Sequence, residues 1–510
     1  MSANIATRFF SVVVSTSFLA AIGAHPTFSQ VGEYCQFERE AIATKENLRN
    51  AVFEDPSKSK NPEATKEYQA IVKEHSQALN TCRQKSWLKT QGIWLRLYPC
   101  DLLSGRLDEV MDRIVNKGYN QVFIEVLSDG KILLPQSENV TAWNSLVLSE
   151  KYKNADLLKL AIAKGHERGI KVHAWIFTMN VGTGYGSGLD RKGLSKLTVA
   201  RQNAIARNAD GDSTISIVEN LGENSAGEVP TKGQLFIDPY NYQAQIDLSL
   251  VVNEVVKRKP DGVVFDYVRY KRGAGAASVV SNVRYLWIYG ASSLQAFRDR
   301  AENFQGREII NRFLKQGYVT SNDLKNAKKL YPQEKEPLWQ GRQPSNQKNP
   351  AIAYWQQELW QLAIGHAFVG VTYYLDIVSQ PAFRKGIPAS IAFFSDGNQP
   401  VGDGFDSRMQ PWHLFTSAYE WQPMAYAVCG KPDCIVDQVR KVAQYAPNGT
   451  KIAPILVGQW NEPFTNRPSL EVQMQAIRAA VPAINSISHF AFGWQTQEIE
   501  FTRSRQICKL

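Results

Sequence analysis

The chain has 510 residues, of which 44% are hydrophobic and 21% charged, a composition that is typical of a globular protein and argues against a membrane protein. This length accommodates a (β/α)8 barrel of about 250 residues with added segments. The formal net charge of +10 favours polyanionic partners such as acidic glycans, although a scattered, solvated surface explains the charge equally well. The basic stretches are short and no nucleic-acid motif accompanies them, so we predict no nucleic-acid partner.

The first residues have the pattern of a secretory signal peptide. Arg8 is the only Lys, Arg, Asp or Glu before Glu33, and an apolar run over residues 9–22 follows it. Small residues suited to cleavage then occur at Ala24 and Ser29. We therefore predict a signal peptide over residues 1–29, export to the periplasm or the extracellular space, and no transmembrane anchor in the mature chain.

Six cysteines follow this segment, an even number that suits disulfide bonds in an oxidising compartment. The first and second cysteines lie at equal distances from the centre of a predicted helical hairpin (residues 30–90). The fourth and fifth are close enough in sequence to close a short loop, and the third and sixth then remain as a pair. No CxxC or HExxH motif occurs, so we predict no metal site and no cofactor. The predicted disulfides are Cys35–Cys82, Cys429–Cys434 and Cys100–Cys508.

Residues 30–90 are predicted to form a helical hairpin around a turn at 55–62. Each helix is charged and has a narrow apolar face, which predicts an appended element rather than a part of the core.

From residue 91 to 510, short apolar runs alternate with amphipathic helical segments, which is typical of a parallel α/β fold. Eight such runs predict a closed (β/α)8, or TIM, barrel rather than an open doubly wound sheet. A polar insertion at residues 272–350 follows the fourth strand. The predicted strands are residues 92–98, 121–125, 171–177, 262–266, 389–394, 421–428, 452–457 and 489–494.

Functional side chains of such barrels lie at the C-terminal ends of the strands. Carboxylates, amides and aromatic residues predominate at these positions. Aromatic rings stack on pyranose faces, and cleavage of a glycosidic bond needs two carboxyl groups flanking it, so we predict a site that binds and cleaves a polysaccharide. The candidate carboxylates are Asp266, Glu125, Asp396 and Glu462, and the candidate substrate-binding residues are Arg96, His173, Trp175, Tyr267, Arg269, Tyr270, Tyr426, Gln459, Trp460 and Trp494.

Four segments resemble the bacterial family 10-like glycosyl hydrolases: residues 118–126 (GYNQVFIEV), 165–175 (GHERGIKVHAW), 236–239 (FIDP) and 261–270 (DGVVFDYVRY). The resemblance covers residues 90–270 well and 385–495 more loosely, and the hairpin and the insertion lie outside it. It implies a barrel glycosidase of the bacterial envelope. The family includes an enzyme that cuts peptidoglycan strands lacking stem peptides, so a cell-wall or related exported polysaccharide is the implied substrate.

The same resemblance implies roles for individual residues. It places Asp266 as the active-site carboxylate of the fourth strand and Asp238 as a loop residue of the site near the start of the following helix. His173 and Trp175 match the motif of the third strand.

The chain departs from the family pattern at two positions. Glu125 stands where the family usually has an amide, and Tyr267 stands where many members have a second acid. Glu125 is therefore either the partner of the first carboxylate or half of a buried ion pair with Arg96, and Asp396 and Glu462 are the other candidates. A non-catalytic glycan-binding or envelope-assembly protein on the same barrel is the alternative to an enzyme.

Overall fold

A computed structural model describes residues 32–53, 62–128, 130–188, 196, 198–214, 234–342 and 351–504. The predicted signal peptide and Cys508 lie outside these residues. Eight parallel strands form one sheet whose first strand pairs with both the last and the second, so the predicted closed (β/α)8 barrel is confirmed. The strands are β1 (Thr90–Leu95), β2 (Gln121–Ser128), β3 (Lys171–Phe177), β4 (Gly262–Asp266), β5 (Ala389–Phe393), β6 (Glu420–Ala425), β7 (Ile455–Val457) and β8 (Ser486–Phe490).

Helices surround the barrel, precede it as a hairpin and fill the insertion after β4. They are α1 (Arg39–Phe53), α2 (Pro62–Lys85), α3 (Arg106–Asn116), α4 (Leu157–His166), α5 (Tyr242–Val256), α6 (Ala291–Arg298), α7 (Phe304–Gln316), α8 (Ser321–Leu330), α9 (Ile352–Arg384), α10 (Asp433–Tyr445), α11 (Leu470–Ala480) and α12 (Gln497–Ser504). A separate small sheet joins Val279–Val280 of the insertion to Gly404–Asp406 and Pro400–Val401 in the loop after β5.

Both faces of the barrel strands are buried, which explains why the strands read as nearly continuous apolar runs. One set of alternate residues packs against the helices, and the other set fills the barrel interior. Half of the interior set is aromatic, and the set comprises Trp94, Phe123, Trp175, Phe177, Val264, Ala392, Met424 and Ile455. β3 and β4 coincide with their predicted ranges.

The eighth strand lies earlier than the sequence predicts. It covers Ser486–Phe490, and a helical turn, Phe492–Gln495, occupies the second half of the predicted segment. Phe492 is 2% exposed, so the apolar pattern continues from the strand into the buried turn. Periodicity does not separate a short buried strand from a short buried helical turn, and this explains the error.

α9 is, among the described residues, the one helix long and apolar enough to cross a membrane by length and composition. Its most apolar window is 56% buried inside the protein. In its middle the Tyr374 hydroxyl donates a hydrogen bond to the carbonyl oxygen of Ala244 in α5, at 3.2 Å. These are the properties of a core helix of the barrel.

The disulfides Cys35–Cys82 and Cys429–Cys434 are formed, as predicted. Cys100 is also disulfide-bonded, but its predicted partner, Cys508, lies outside the described residues.

The hairpin is attached to the barrel by buried charges, which the apolar pattern did not predict. Asp112 of α3 is completely buried and accepts hydrogen bonds from Arg168 Nε at 2.9 Å and from the Tyr68 hydroxyl of α2 at 2.8 Å. Lys45 and Arg49 of α1 approach the same carboxylate at 4.0 and 3.7 Å. Burial would raise the pKa of Asp112, but the cations around it outweigh burial and hold the pKa below its usual value.

Replacing Asp112 with alanine should destabilise the protein by about 3–5 kcal/mol, because it leaves buried cations without their acid. The measurement is the free energy of unfolding from urea denaturation. Glu150→Ala is the matched control, since Glu150 forms only an exposed pair with Lys153 and its loss should cost less than about 1 kcal/mol. Equal, small effects of the two substitutions would contradict a clamping role for Asp112.

Candidate active site

A cavity of about 220 Å³ opens at the C-terminal end of the barrel. Its walls are formed by inward-facing residues at or just beyond the ends of seven of the eight strands, so closure of the sheet brings together positions far apart in sequence. The lining is predominantly aromatic with three charged side chains. The lining residues are Trp94, Arg96, Trp175, Phe177, Asp266, Tyr267, Arg269, Phe394, Met424, Tyr426, Ile455 and Phe490.

Asp266 is the acid of this cavity. It ends β4, is 8% exposed, and accepts hydrogen bonds from the Trp175 indole at 3.1 Å and from the Tyr267 backbone N–H at 2.6 Å. Burial raises the pKa of Asp266 to about 6, although both hydrogen bonds and the charge of Arg269 oppose the rise. The negative charge of Glu125 adds to the rise. The carboxyl group therefore changes its charge near neutral pH.

Glu125 lies one strand away from Trp175, opposite it in the β2–β3 register. Its Oε2 accepts a hydrogen bond from Arg96 Nε at 2.7 Å, so the ion pair that the sequence offered as an alternative is present. The Glu125 side chain is 8% exposed, whereas that of Arg96 is 48% exposed. The Arg96 guanidinium also lies 6.0 Å from the Trp175 ring, and this places the ion pair at the edge of the cavity.

A turn after β4 aims Tyr267 and Arg269 into the cavity. Tyr267 has a φ of +53°, a left-handed backbone conformation that is uncommon for a bulky residue and often occurs at functional sites. Its ring packs 4.5 Å from Phe177 and 4.6 Å from the Arg269 guanidinium. The segment from Asp266 to Arg269 thus supplies three neighbouring lining residues.

Tyr426 and Trp494, two further predicted residues, lie in and beside the cavity. Tyr426 lines it, and burial raises the pKa of its hydroxyl well above the usual value. Trp494 is 38% exposed and packs 5.3 Å from the cavity residue Phe490. Gln459 donates a hydrogen bond to the Trp494 carbonyl oxygen at 3.4 Å.

Two residues implied by the family motifs lie away from the lining. His173 is enclosed by the barrel beside Phe123, at the level of Gly262, and burial lowers its pKa to about 4. Asp238 is fully buried and accepts hydrogen bonds from the backbone N–H groups of Tyr240 and Ser293, the second of them in the first turn of α6. Its contacts are those of a helix cap.

The other predicted residues also lie outside the lining. Tyr270 is 1% exposed in the outer core, and Trp460 donates a hydrogen bond to the Tyr119 hydroxyl at 3.1 Å outside the barrel. Asp396 pairs with Arg408 at 3.1 Å, and Glu462 is exposed on the loop after β7. The structure therefore brings Asp266, Trp175, Tyr267, Arg269 and Tyr426 together with Arg96 at one cavity, and Glu125 at its edge.

Sequence reasoning missed six lining residues. The alternation of side chains along a strand predicts such residues only after one inward-facing position of that strand is known. The missed residues are Trp94, Phe177, Phe394, Met424, Ile455 and Phe490. In the described part of the chain, no three His, Cys, Asp or Glu side chains converge in a way that could hold a metal ion.

Solved structures resemble the protein over most of its length at low identity. The glycoside hydrolase domain of PgaB (BpsB) from Bordetella bronchiseptica has a TM-score of 0.45 and 14% identity, and the match covers 81% of this chain and 98% of that domain. A GH20 exo β-N-acetylglucosaminidase from Vibrio harveyi has a TM-score of 0.36 and 9% identity, with 80% of this chain and 51% of that protein covered.

Curated relatives match a shorter part of the chain. Glycosyl hydrolase DigH of Escherichia coli (strain K12) is 28% identical over 170 residues, which are 32% of this chain and 34% of that protein. The protein of the same name from Shigella flexneri gives the same values. The match thus spans about a third of the length of these relatives.

The sequence model of the family described as glycosyl hydrolase-like 10 matches residues 89–329, from β1 to the end of the insertion helices. The four motifs that carried the resemblance lie inside this range. Residues 89–329, slightly less than half of the chain, are therefore similar to the glycosyl hydrolase-like 10 family.

Proposed function

We propose that this protein hydrolyses glycosidic bonds of an exported polysaccharide in the cavity at the C-terminal end of the barrel. The observation that carries the proposal is the environment of Asp266: a buried carboxyl group in an aromatic-lined cavity, with its pKa raised to about 6. The match of residues 89–329 to a glycosyl hydrolase-like family supports a glycan as the substrate.

Asp266 is the proposed proton donor. A glycosidic oxygen must receive a proton as its bond to the anomeric carbon breaks, and a carboxyl group with a raised pKa supplies it near neutral pH. The Trp175 indole and the Tyr267 N–H hold the two carboxyl oxygens of Asp266 and orient the group. Trp175, Phe177, Tyr426 and the other rings of the lining offer flat surfaces for the sugar.

Glu125 is the proposed partner. It is the acid that influences Asp266 electrostatically from the neighbouring strands, and its ion pair with Arg96 holds it in place. As a base it would take a proton from the water that attacks the anomeric carbon, and as a nucleophile it would bond to that carbon before water releases the sugar. The separation of the two carboxyl groups around the bound sugar decides between these routes.

A glycan-binding protein without catalysis is the second candidate. It is favoured by one observation: among the residues that line the cavity, Asp266 is the single acid, and Glu125 is engaged by Arg96. Sugar binding needs the aromatic lining and one or two polar groups, whereas hydrolysis needs both carboxyl groups to reach the bond.

Asp266→Asn should reduce turnover by at least about 100-fold while glycan binding changes little, because the amide keeps the size of the side chain but cannot donate the proton. The assay is reducing-end release from peptidoglycan strands with and without stem peptides and from neutral and acidic polysaccharides. Asp437→Asn, the same change on the exposed surface of α10, is the control. Binding without release of ends by the wild type would favour the non-catalytic alternative.

The pH profile tests the role given to Asp266. If its carboxyl group donates the proton, kcat/KM should fall above about pH 6, close to tenfold per pH unit, as that proton is lost. The groups that face it are Glu125, Arg269, Tyr426 and the N–H donors of Trp175 and Tyr267. A rate that rises through this range would instead assign Asp266 as a base or nucleophile.

Stability should show the same titration without any substrate. Because the pKa of Asp266 is higher in the folded than in the unfolded state, its contribution to stability is fully present below about pH 4 and is lost as the pH rises through about 6. The free energy of unfolding of the wild type, relative to that of Asp266→Asn, should therefore fall by about 2–3 kcal/mol between these limits. If the difference in the free energy of unfolding between the wild type and Asp266→Asn does not change with pH, burial does not raise this pKa.

A further inference from the structure

Two arginines lie against the ring of Phe394 at the end of β5, and they differ in their partners. The Arg408 guanidinium is 4.7 Å from the ring centre, and that of Arg269 is 5.7 Å from it. Arg408 donates from Nε and Nη2 to the two carboxylate oxygens of Asp406, at 2.8 and 2.7 Å, and it also pairs with Asp396. The charge of Arg408 is therefore fully compensated inside the protein.

Arg269 has no such acid among the residues that the structure describes. Its Nη1 donates to the carbonyl oxygen of Tyr270 at 3.0 Å, and this bond anchors one side of the guanidinium. Its Nε is buried without a hydrogen-bond partner among the described residues, and no hydrogen bond from Nη2 to them is found. The Nε and Nη2 donors, which in Arg408 bind Asp406, thus have no partner among the described residues, and the side chain that carries them lines the cavity.

The surroundings of Arg269 make its unsatisfied N–H donors unfavourable when no ligand is bound. The guanidinium lies among the rings of Tyr267, Phe236 and Phe394, at 4.6, 6.0 and 5.7 Å from their centres. Cation–π contacts of this kind recover part of the lost hydration, but they do not satisfy an N–H donor. Burial and the nearby Arg408 both lower the pKa of Arg269, and the negative charges of Asp266 and Asp406 offset this only in part.

We propose that Arg269 binds a carboxylate carried by a sugar of the substrate, so that the cavity selects an acidic polysaccharide. The inference rests on the proposed function for the identity of the ligand as a glycan, but not on catalysis. A planar carboxylate matches the paired N–H groups of the Nε–Nη2 edge, as Asp406 matches those of Arg408. A bound carboxylate beside Asp266 would also favour the protonated form of that acid, which is the form that donates a proton.

The carboxylate has two common chemical sources in polysaccharides: the ring carboxyl of a uronic acid and a lactyl ether on an amino sugar. The first set of probes is glucuronic-acid-containing oligosaccharides, and the second is peptidoglycan strands lacking stem peptides. Each is compared with the same material after its carboxyl groups have been reduced to alcohols. Calorimetric binding to the full-length wild type should be on the order of 10- to 100-fold weaker for the reduced form of whichever source is recognised.

Arg269→Gln should bring the affinity for the acidic probe down to that for its reduced form and leave the affinity for the reduced form unchanged. Arg269→Lys keeps the charge but loses the paired donors, so it should give an intermediate affinity. Arg440→Gln, on the exposed surface of α10, should bind as the wild type does. The comparison of acidic and reduced probes on the wild type needs no variant. It therefore tests recognition of a carboxylate even if substitutions at Arg269 impair folding.

Equal binding of acidic and reduced probes by the wild type would overturn the inference. Preference for a sulfated oligosaccharide over both carboxylated probes would also overturn it, because the edge would then serve a different anion. Selective binding of the acidic probe without release of reducing ends would sustain the role of Arg269 and remove the proposed hydrolysis. Cleavage of neutral glycans with no effect of Arg269→Gln would sustain hydrolysis and remove the role of Arg269.

Discussion

β1 pairs with β2 on one side and with β8 on the other, and every functional feature of the protein depends on this closure. Gly92 of β1 has no side chain and so leaves room for side chains of both neighbouring strands. A Cβ atom there would lie 2.7 Å from the ring of Phe123 and 3.0 Å from Ser488. Next to it the Trp94 indole donates to the Ser488 hydroxyl at 3.0 Å, inside the barrel. Closure brings the C-terminal ends of the strands together, and the cavity lies between them.

The protein compensates its other buried cations internally, and this makes the cavity distinctive. Arg168 is matched by the acids of α3, and Arg83 donates to three backbone carbonyl oxygens, including that of Gly118 at 2.6 Å. Arg408 has Asp406. At the cavity, by contrast, the acid Asp266 is buried beside aromatic rings and Arg269 keeps unsatisfied donors. An unsatisfied buried donor on a residue that lines a cavity is a candidate contact for a ligand.

Polar contacts also attach the N-terminal helical hairpin to the barrel. Its apolar faces are narrow, and the sequence therefore predicted an element outside the core. The disulfide Cys35–Cys82 joins the two ends of the hairpin to each other. Besides the buried apolar residues Phe37 and Leu79, the contacts that attach it to the barrel are the hydrogen bond from Arg83 to the carbonyl oxygen of Gly118 and the charges gathered around Asp112. Such contacts leave no hydrophobic periodicity, because a buried ion pair has the same residue types as an exposed one.

The sequence alone determined the strands β3 and β4, the eight βα units, the two described disulfides and the position of Asp266 at a strand end. These features leave local patterns: apolar runs of fixed length, symmetric spacing and a family motif. The tertiary structure decided which face of each strand points inward. Both faces of a barrel strand are apolar, so local pattern could not separate the cavity residues Phe394 and Phe490 from the outward-facing Trp460 and Tyr270. Pairing across the closed sheet sets that choice. It joined Asp266 to Trp175, and it left Arg269 without an ion-pair partner in the described part of the chain.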